Sequence, residues 1–119
     1  MNIEELQDYC LRKKGVTEDF PFDEDTLVFK VLGKMFALVP LERWESGNAC
    51  ISLKCKPEYS QELRAEYSSI QGAYHMNKLH WNMIFLNKGE ISAQLLKELI
   101  DLSYELVVKG LPKKLRDTL

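Results

Sequence analysis

With 119 residues, 45% of them apolar and 29% charged, the chain has the length and mix of one ordinary globular domain, able to bury roughly two thirds of its unfolded surface. No apolar run approaches the roughly 18 residues of a spanning helix, and Met1-Asn2-Ile3-Glu4-Glu5 lacks the basic start and apolar centre of a secretion signal, so a membrane role is excluded and a cytoplasmic location is expected. The net charge of −2 argues against indiscriminate nucleic-acid binding, yet residues 1–26 carry −5 and the remainder +3, which leaves room for a basic face opposite an acidic one.

Ile3, Leu6 and Cys10 recur at helical intervals among charged residues, which predicts an amphipathic helix over 3–14, with acids leading, bases trailing and Gly15 as its stop. An acidic loop follows over 18–25, where Phe20 and Phe22 are expected to pin the chain to the core. Residues 27–31 and 35–39 are β-prone runs joined through Leu32-Gly33-Lys34, with Gly33 supplying a positive φ, and Pro40 ends the second run. Residues 41–48 form a connection around Trp44, turning at Gly47-Asn48.

Along 49–55 the side chains alternate, so that Ile51, Leu53 and Cys55 face one way and Cys50, Ser52 and Lys54 the other. Three cysteines without CxxC spacing suit buried thiols in a reducing compartment better than a disulfide frame. Pro57 starts a helix predicted over 57–67. Further on, Ser92 is an N-cap, Ile91 and Leu96 form a hydrophobic staple, and an apolar stripe runs to a stop at Gly110 and Pro112. Lys113, Lys114 and Arg116 add a basic tail.

Residues 72–82 hold both histidines, Trp81, two asparagines and Lys78. Asn77-Lys78 reads as a tight turn between two extended arms, with Asn77 accepting left-handed backbone angles. On the second arm Trp81, Met83 and Phe85 share an apolar side, which makes Trp81 the expected core anchor and puts His80 on an open face. Helices alternating with hairpin-joined strands predict an α+β fold, an antiparallel sheet with helices packed on one face. The whole of 1–119 reads as one domain.

The block Tyr74-His75-Met76-Asn77-Lys78 with His80-Trp81-Asn82 resembles the MmcQ/YjbR family of small bacterial proteins. So do Pro21-Phe22, Lys30-Val31, Gly33-Lys34-Met35-Phe36-Ala37, Leu53-Lys54-Cys55 with Pro57, Ser103-Tyr104 and Leu111-Pro112-Lys113-Lys114. The resemblance implies a CyaY-like (frataxin-like) sandwich and a double-wing arrangement proposed to bind DNA. Carried over by position, it points to Tyr74, His75, Asn77, Lys78, His80 and Trp81, and to the basic end at Lys113 and Lys114. The chain departs from the family pattern at Ala73, at Leu79, where a base is common, and at Asp23, where glycine is common.

Two functions follow. The first is a non-enzymatic DNA-binding module in which Lys34, Lys54, Lys78, Lys113, Lys114 and Arg116 contact phosphates, with Tyr74 as the better stacking ring. The second is a protein- or small-ligand-binding domain on the open sheet face, with a pocket near Tyr74, His80 and Trp44. Hairpin geometry alone also accounts for the central block, with Asn77 turning, Trp81 packed and the histidines bonded to nearby backbone. His75 and His80 match no zinc or calcium spacing even beside the acidic loop, so no metal or other cofactor is expected. Neither histidine has an identifiable catalytic partner.

Overall fold

The computed structural model describes residues 1–119. In chain order it contains α1 (Ile3–Leu11), β1 (Val16–Asp19), β2 (Thr26–Val31), β3 (Lys34–Pro40), α2 (Leu41–Glu45), β4 (Cys50–Lys54), α3 (Pro57–Glu66), β5 (Ile70–Gly72), β6 (Trp81–Phe85), α4 (Ala93–Lys109) and α5 (Lys113–Arg116). The strands form one six-stranded sheet in the order β1-β2-β3-β4-β6-β5, every neighbouring pair antiparallel. This is the expected α+β sandwich, with α1 and α4 packed on one face.

Local chemistry accounts for most boundaries. Asn2 caps α1, its side chain accepting from Glu5 N–H while the Glu5 carboxylate accepts from Asn2 N–H, a reciprocal capping box. Ser92 Oγ accepts from Leu95 N–H at 3.0 Å, and the flanking Ile91 and Leu96 are both buried in the core. Pro57 opens α3. The β2–β3 turn is tighter than a glycine alone would make it: Leu32 (φ 48°) and Gly33 (φ 85°) are both left-handed while Val31 pairs with Lys34, the geometry of a two-residue type I′ turn. Leu32 tolerates this because its side chain packs on the core edge and its N–H donates to Gly15 O.

α4 lies across β3 and β4, and one serine fixes it there. A bulge between Phe29 and Lys30 disrupts the β2–β3 register, and Ser103 Oγ donates to the Phe36 carbonyl beside it at 2.6 Å. The same oxygen accepts from Lys54 N–H at 2.9 Å. Tyr104 stands edge-on to Phe36, ring centroids 5.5 Å apart, and its hydroxyl donates to Lys14 O.

Four expectations are corrected. Residues 16–19 form an edge strand, which takes Glu18 and Asp19 out of the loop expected over 18–25. Phe20 and Phe22 are not pinned to the core but exposed, at 45% and 63%; the bend there is held instead by the Asp23 carboxylate, which accepts from Asp25 and Thr26 N–H. Asn77 has no left-handed backbone. The two sides of β6 are also exchanged: Ile51 pairs with Ile84 and Leu53 with Asn82, so Asn82 and Ile84 face the helices while Trp81, Met83 and Phe85 lie on the far face.

That exchange has a polar cause. Asn82 is 2% exposed, yet its carbonyl accepts from Arg64 Nε at 2.8 Å and its amide donates to Ser60 Oγ at 3.1 Å. A satisfied asparagine can occupy a position that its polarity alone would send outward. Trp81 is still buried, at 9%, but outside the main core cluster.

Candidate functional site

One end of the sheet gathers several of the chain's unpaired cations. Lys54 ends β4 opposite Trp81 at the start of β6, and the pairing of Ala37 with Leu53 brings the start of β3, and so Lys34, to the same level. Lys34 and Lys54 line a cavity of about 350 Å³ with Leu106, Val107, Gly110 and Leu111 at the end of α4. Leu106 also lines an adjoining cavity of about 130 Å³, which adds Lys56 and Lys109, with Glu105 as the acid among them.

α5, with Lys113, Lys114 and Arg116, follows directly. The chain beyond it returns to the β2–β3 turn, since Leu119 and Leu32 both crowd Gly15. The molecule's three ion pairs join Arg12 to Asp8, Lys13 to Asp101 and Lys30 to Asp19. None involves Lys34, Lys54, Lys56, Lys109, Lys113, Lys114 or Arg116.

The segment 73–80 is not the tip of two extended arms. β5 ends at Gly72 and β6 starts at Trp81, and the residues between turn back on themselves. Asn77 supplies the turn with its side chain and its carbonyl: Oδ1 accepts from Leu79 N–H, and the main-chain oxygen accepts from His80 and Trp81 N–H, an Asx-type turn. Arg64 reaches from α3 to donate to the carbonyls of Lys78 and Trp81. The Lys78 side chain is exposed, with its stem against Gly72.

The Tyr74 and His75 rings lie against each other with centroids 3.8 Å apart, tilted by 44°. They line a cavity of about 160 Å³ on the far sheet face with Leu38, Arg43, Ser52 and Met83. Arg43 stands 5.3 Å above the Phe85 ring. Burial pushes the neighbouring Cys50 thiol up, although Arg43 opposes the shift, so this is not the low-pKa setting of a reactive cysteine.

The predicted residues therefore divide. Lys34 and Lys54 converge, with Lys113, Lys114 and Arg116 beside them. Tyr74 and His75 lie over the far sheet face with Arg43, and Asn77 and Lys78 belong to the turn held by Arg64. His80 is half-buried at the root of that turn, and its carbonyl accepts from Cys55 N–H at 2.9 Å.

Tyr74, His80 and Trp44 do not share a pocket: Trp44 lines a cavity separate from that of Tyr74, and His80 lines neither. No three His, Cys, Asp or Glu side chains converge where they would hold a metal ion. No helix is long and apolar enough to cross a membrane.

Arg64, Ser60 and Arg43 escaped the sequence reading. Asn82, polar within Trp81-Asn82-Met83-Ile84-Phe85, was the available signal, because a buried amide requires partners.

Comparison with known proteins places this geometry. The YjbR family model matches residues 11–106. The chain is 32% identical over 119 residues to YjbR of Escherichia coli K12, covering 100% of this chain and 98% of that protein. It is 42% identical over 95 residues to YbdF of Escherichia coli O157:H7, covering 80% of this chain and 75% of the relative.

Among solved structures, the Deinococcus radiodurans protein DR2400, of domain family DUF419, superposes with a TM-score of 0.88 at 40% identity, covering 98% of this chain and 86% of that one. A Pseudomonas syringae protein superposes with a TM-score of 0.72 at 32% identity, covering 89% and 98%. Both the matched span and the fold agree with the motifs from Pro21-Phe22 to His80-Trp81-Asn82, and the chain belongs to the YjbR family.

Proposed function

We propose that the chain is a non-enzymatic DNA-binding module whose cationic end contacts the phosphates of duplex DNA. The observation that carries this reading is the convergence of Lys34 and Lys54 on one cavity, next to Lys113, Lys114 and Arg116, all without carboxylate partners. Unpaired lysines are free to exchange counterions for phosphates. Two hairpin ends flank β4 at this pole, the Leu32-Gly33 turn and the 73–80 segment, and in this reading they are the wings. Lys78 extends the contact on the β5 side, while Arg64 and Asn77 position it. The reading assigns no nucleophile and no general base.

The open sheet face is the weaker alternative for a ligand. Its cavity of about 160 Å³ is smaller than the ~300 Å³ at which ordinary ligand pockets begin.

A low-salt titration of the protein against duplex DNA tests the proposal. Binding is expected, and replacing Lys34, Lys54, Lys113 and Lys114 together by alanine is expected to weaken it about tenfold or more. Lys88→Ala, at the opposite end of the sheet, leaves it unchanged. Failure of the native protein to bind, or undiminished binding by the fourfold variant, overturns the assignment.

A further inference from the structure

The largest cavity lies at the opposite pole, on the helix-covered side, where β2 begins and β6 has ended. It measures about 720 Å³, and its walls include Ile3 from α1, Leu41 and Trp44 from α2, and Leu86 after β6. That volume falls within the ~300–1,000 Å³ of small-molecule sites, which combine apolar walls with a few placed polar groups.

The polar groups here are mostly of one sign. Glu18, Asp19 and Glu45 line the cavity, against the terminal ammonium of one further lining residue, Met1. Gln7, a neutral donor, holds both Glu18 oxygens from 2.7 and 2.9 Å, which fixes the carboxylate in place without cancelling its charge. Asp19 is paired with Lys30 at 3.3 Å; no cation of the chain pairs with Glu18 or Glu45.

The aromatic walls agree with the charges. Trp44 Nε1 donates to Cys50 O at 2.9 Å, which anchors the edge of the indole while the residue lines the cavity, and Phe20 borders the opening at 45% exposure. An indole attracts a cation through its ring quadrupole. The fixed Glu18 carboxylate, the exposed Glu45 carboxylate, an anchored indole and apolar walls all select the same kind of guest.

We infer that this cavity is a binding site for an amphipathic organic cation, an apolar body carrying an ammonium group. The body fills the space between Ile3, Leu41 and Leu86, and the ammonium sits between Trp44 and the carboxylates of Glu18 and Glu45. The site uses none of the lysines assigned to DNA and stands or falls separately from them.

Octyltrimethylammonium, octanoate and octanol share one tail and differ in head charge, so titrating each into the full chain, followed by amide and indole NMR shifts, separates charge from greasiness. The expected result is saturable shifts at Ile3, Leu41, Leu86 and the Trp44 indole for the ammonium, with octanoate at least about tenfold weaker. Glu45→Gln should weaken the ammonium about threefold, and Glu18→Gln with Glu45→Gln about tenfold, with octanol unaffected. The Glu45 side chain accepts no hydrogen bond, so its variant keeps the test valid if Glu18→Gln disturbs Gln7. Equal affinity for the three probes, shifts centred elsewhere, no saturable binding, or full ammonium affinity in Glu45→Gln and the double variant would each overturn the inference.

Discussion

Ser103 illustrates how much a single hydroxyl does here. It satisfies the Phe36 carbonyl and the Lys54 N–H at once, and so couples the Lys54 end of β4 to α4. Ser103→Ala leaves both backbone groups without that partner, an expected loss of about 1–3 kcal/mol in urea unfolding. Arg64 has a comparable role at the root of the 73–80 turn. Arg64→Ala exposes the buried Asn82 carbonyl to the same order of cost, about 1–3 kcal/mol. Arg64→Lys should restore little of it, because one ammonium cannot reproduce the guanidinium fork.

At the scale of elements, signals carried by neighbouring residues were legible in the sequence. Ser92, Pro57 and Gly33 marked α4, α3 and the β2–β3 turn because capping, a preset φ and a left-handed angle are properties of one residue in its own backbone. β1, α2, β5 and α5 were not legible, because each is short, lacks the apolar alternation that marked β4, and is defined by what it packs or pairs with. Lys34 and Lys54 were named one by one, but their meeting depends on the β3–β4 register and on where α4 ends, which no local pattern encodes. Asn82 misled for the same reason: its partners stand on α3.

Gly15 links several of these elements. Its φ is +74°, and a Cβ there would come within 2.6 Å of Leu119. Gly15→Ala is expected to destabilise the fold by about 1–3 kcal/mol, read as a lower thermal midpoint.

For the whole molecule, charge and pH act together. Burial, ahead of the nearby Asp101 charge, pushes Tyr9 up to about 12, and burial pushes Cys10 up to about 12, from ordinary values of 10.0 and 9.0. Both groups keep their protons more tightly in the folded state, so their contribution is complete below pH 9 and is lost as pH rises toward 12. Asp23 and Glu90 are held below their ordinary values by backbone N–H donors, Thr26 for the first and Ser69 for the second. Their contribution is present above the ordinary carboxylate range and is lost as pH falls through the depressed values. Urea midpoints measured across pH should therefore decline at both extremes, with Cys10→Ala flattening the alkaline limb.

Glu18, Glu45 and an apolar cavity mark one pole of the molecule and the cluster at Lys34 and Lys54 the other, and the cationic cluster carries the proposed function. The slope of log binding constant against log salt for duplex DNA tests that directly, because it reports how many phosphates are neutralised. A slope of about −5 is predicted for the native protein with its six contacts, flattening by about 1 for each of Lys34, Lys54, Lys113 and Lys114 removed. A slope near zero, or one that the four substitutions leave unchanged, would contradict it.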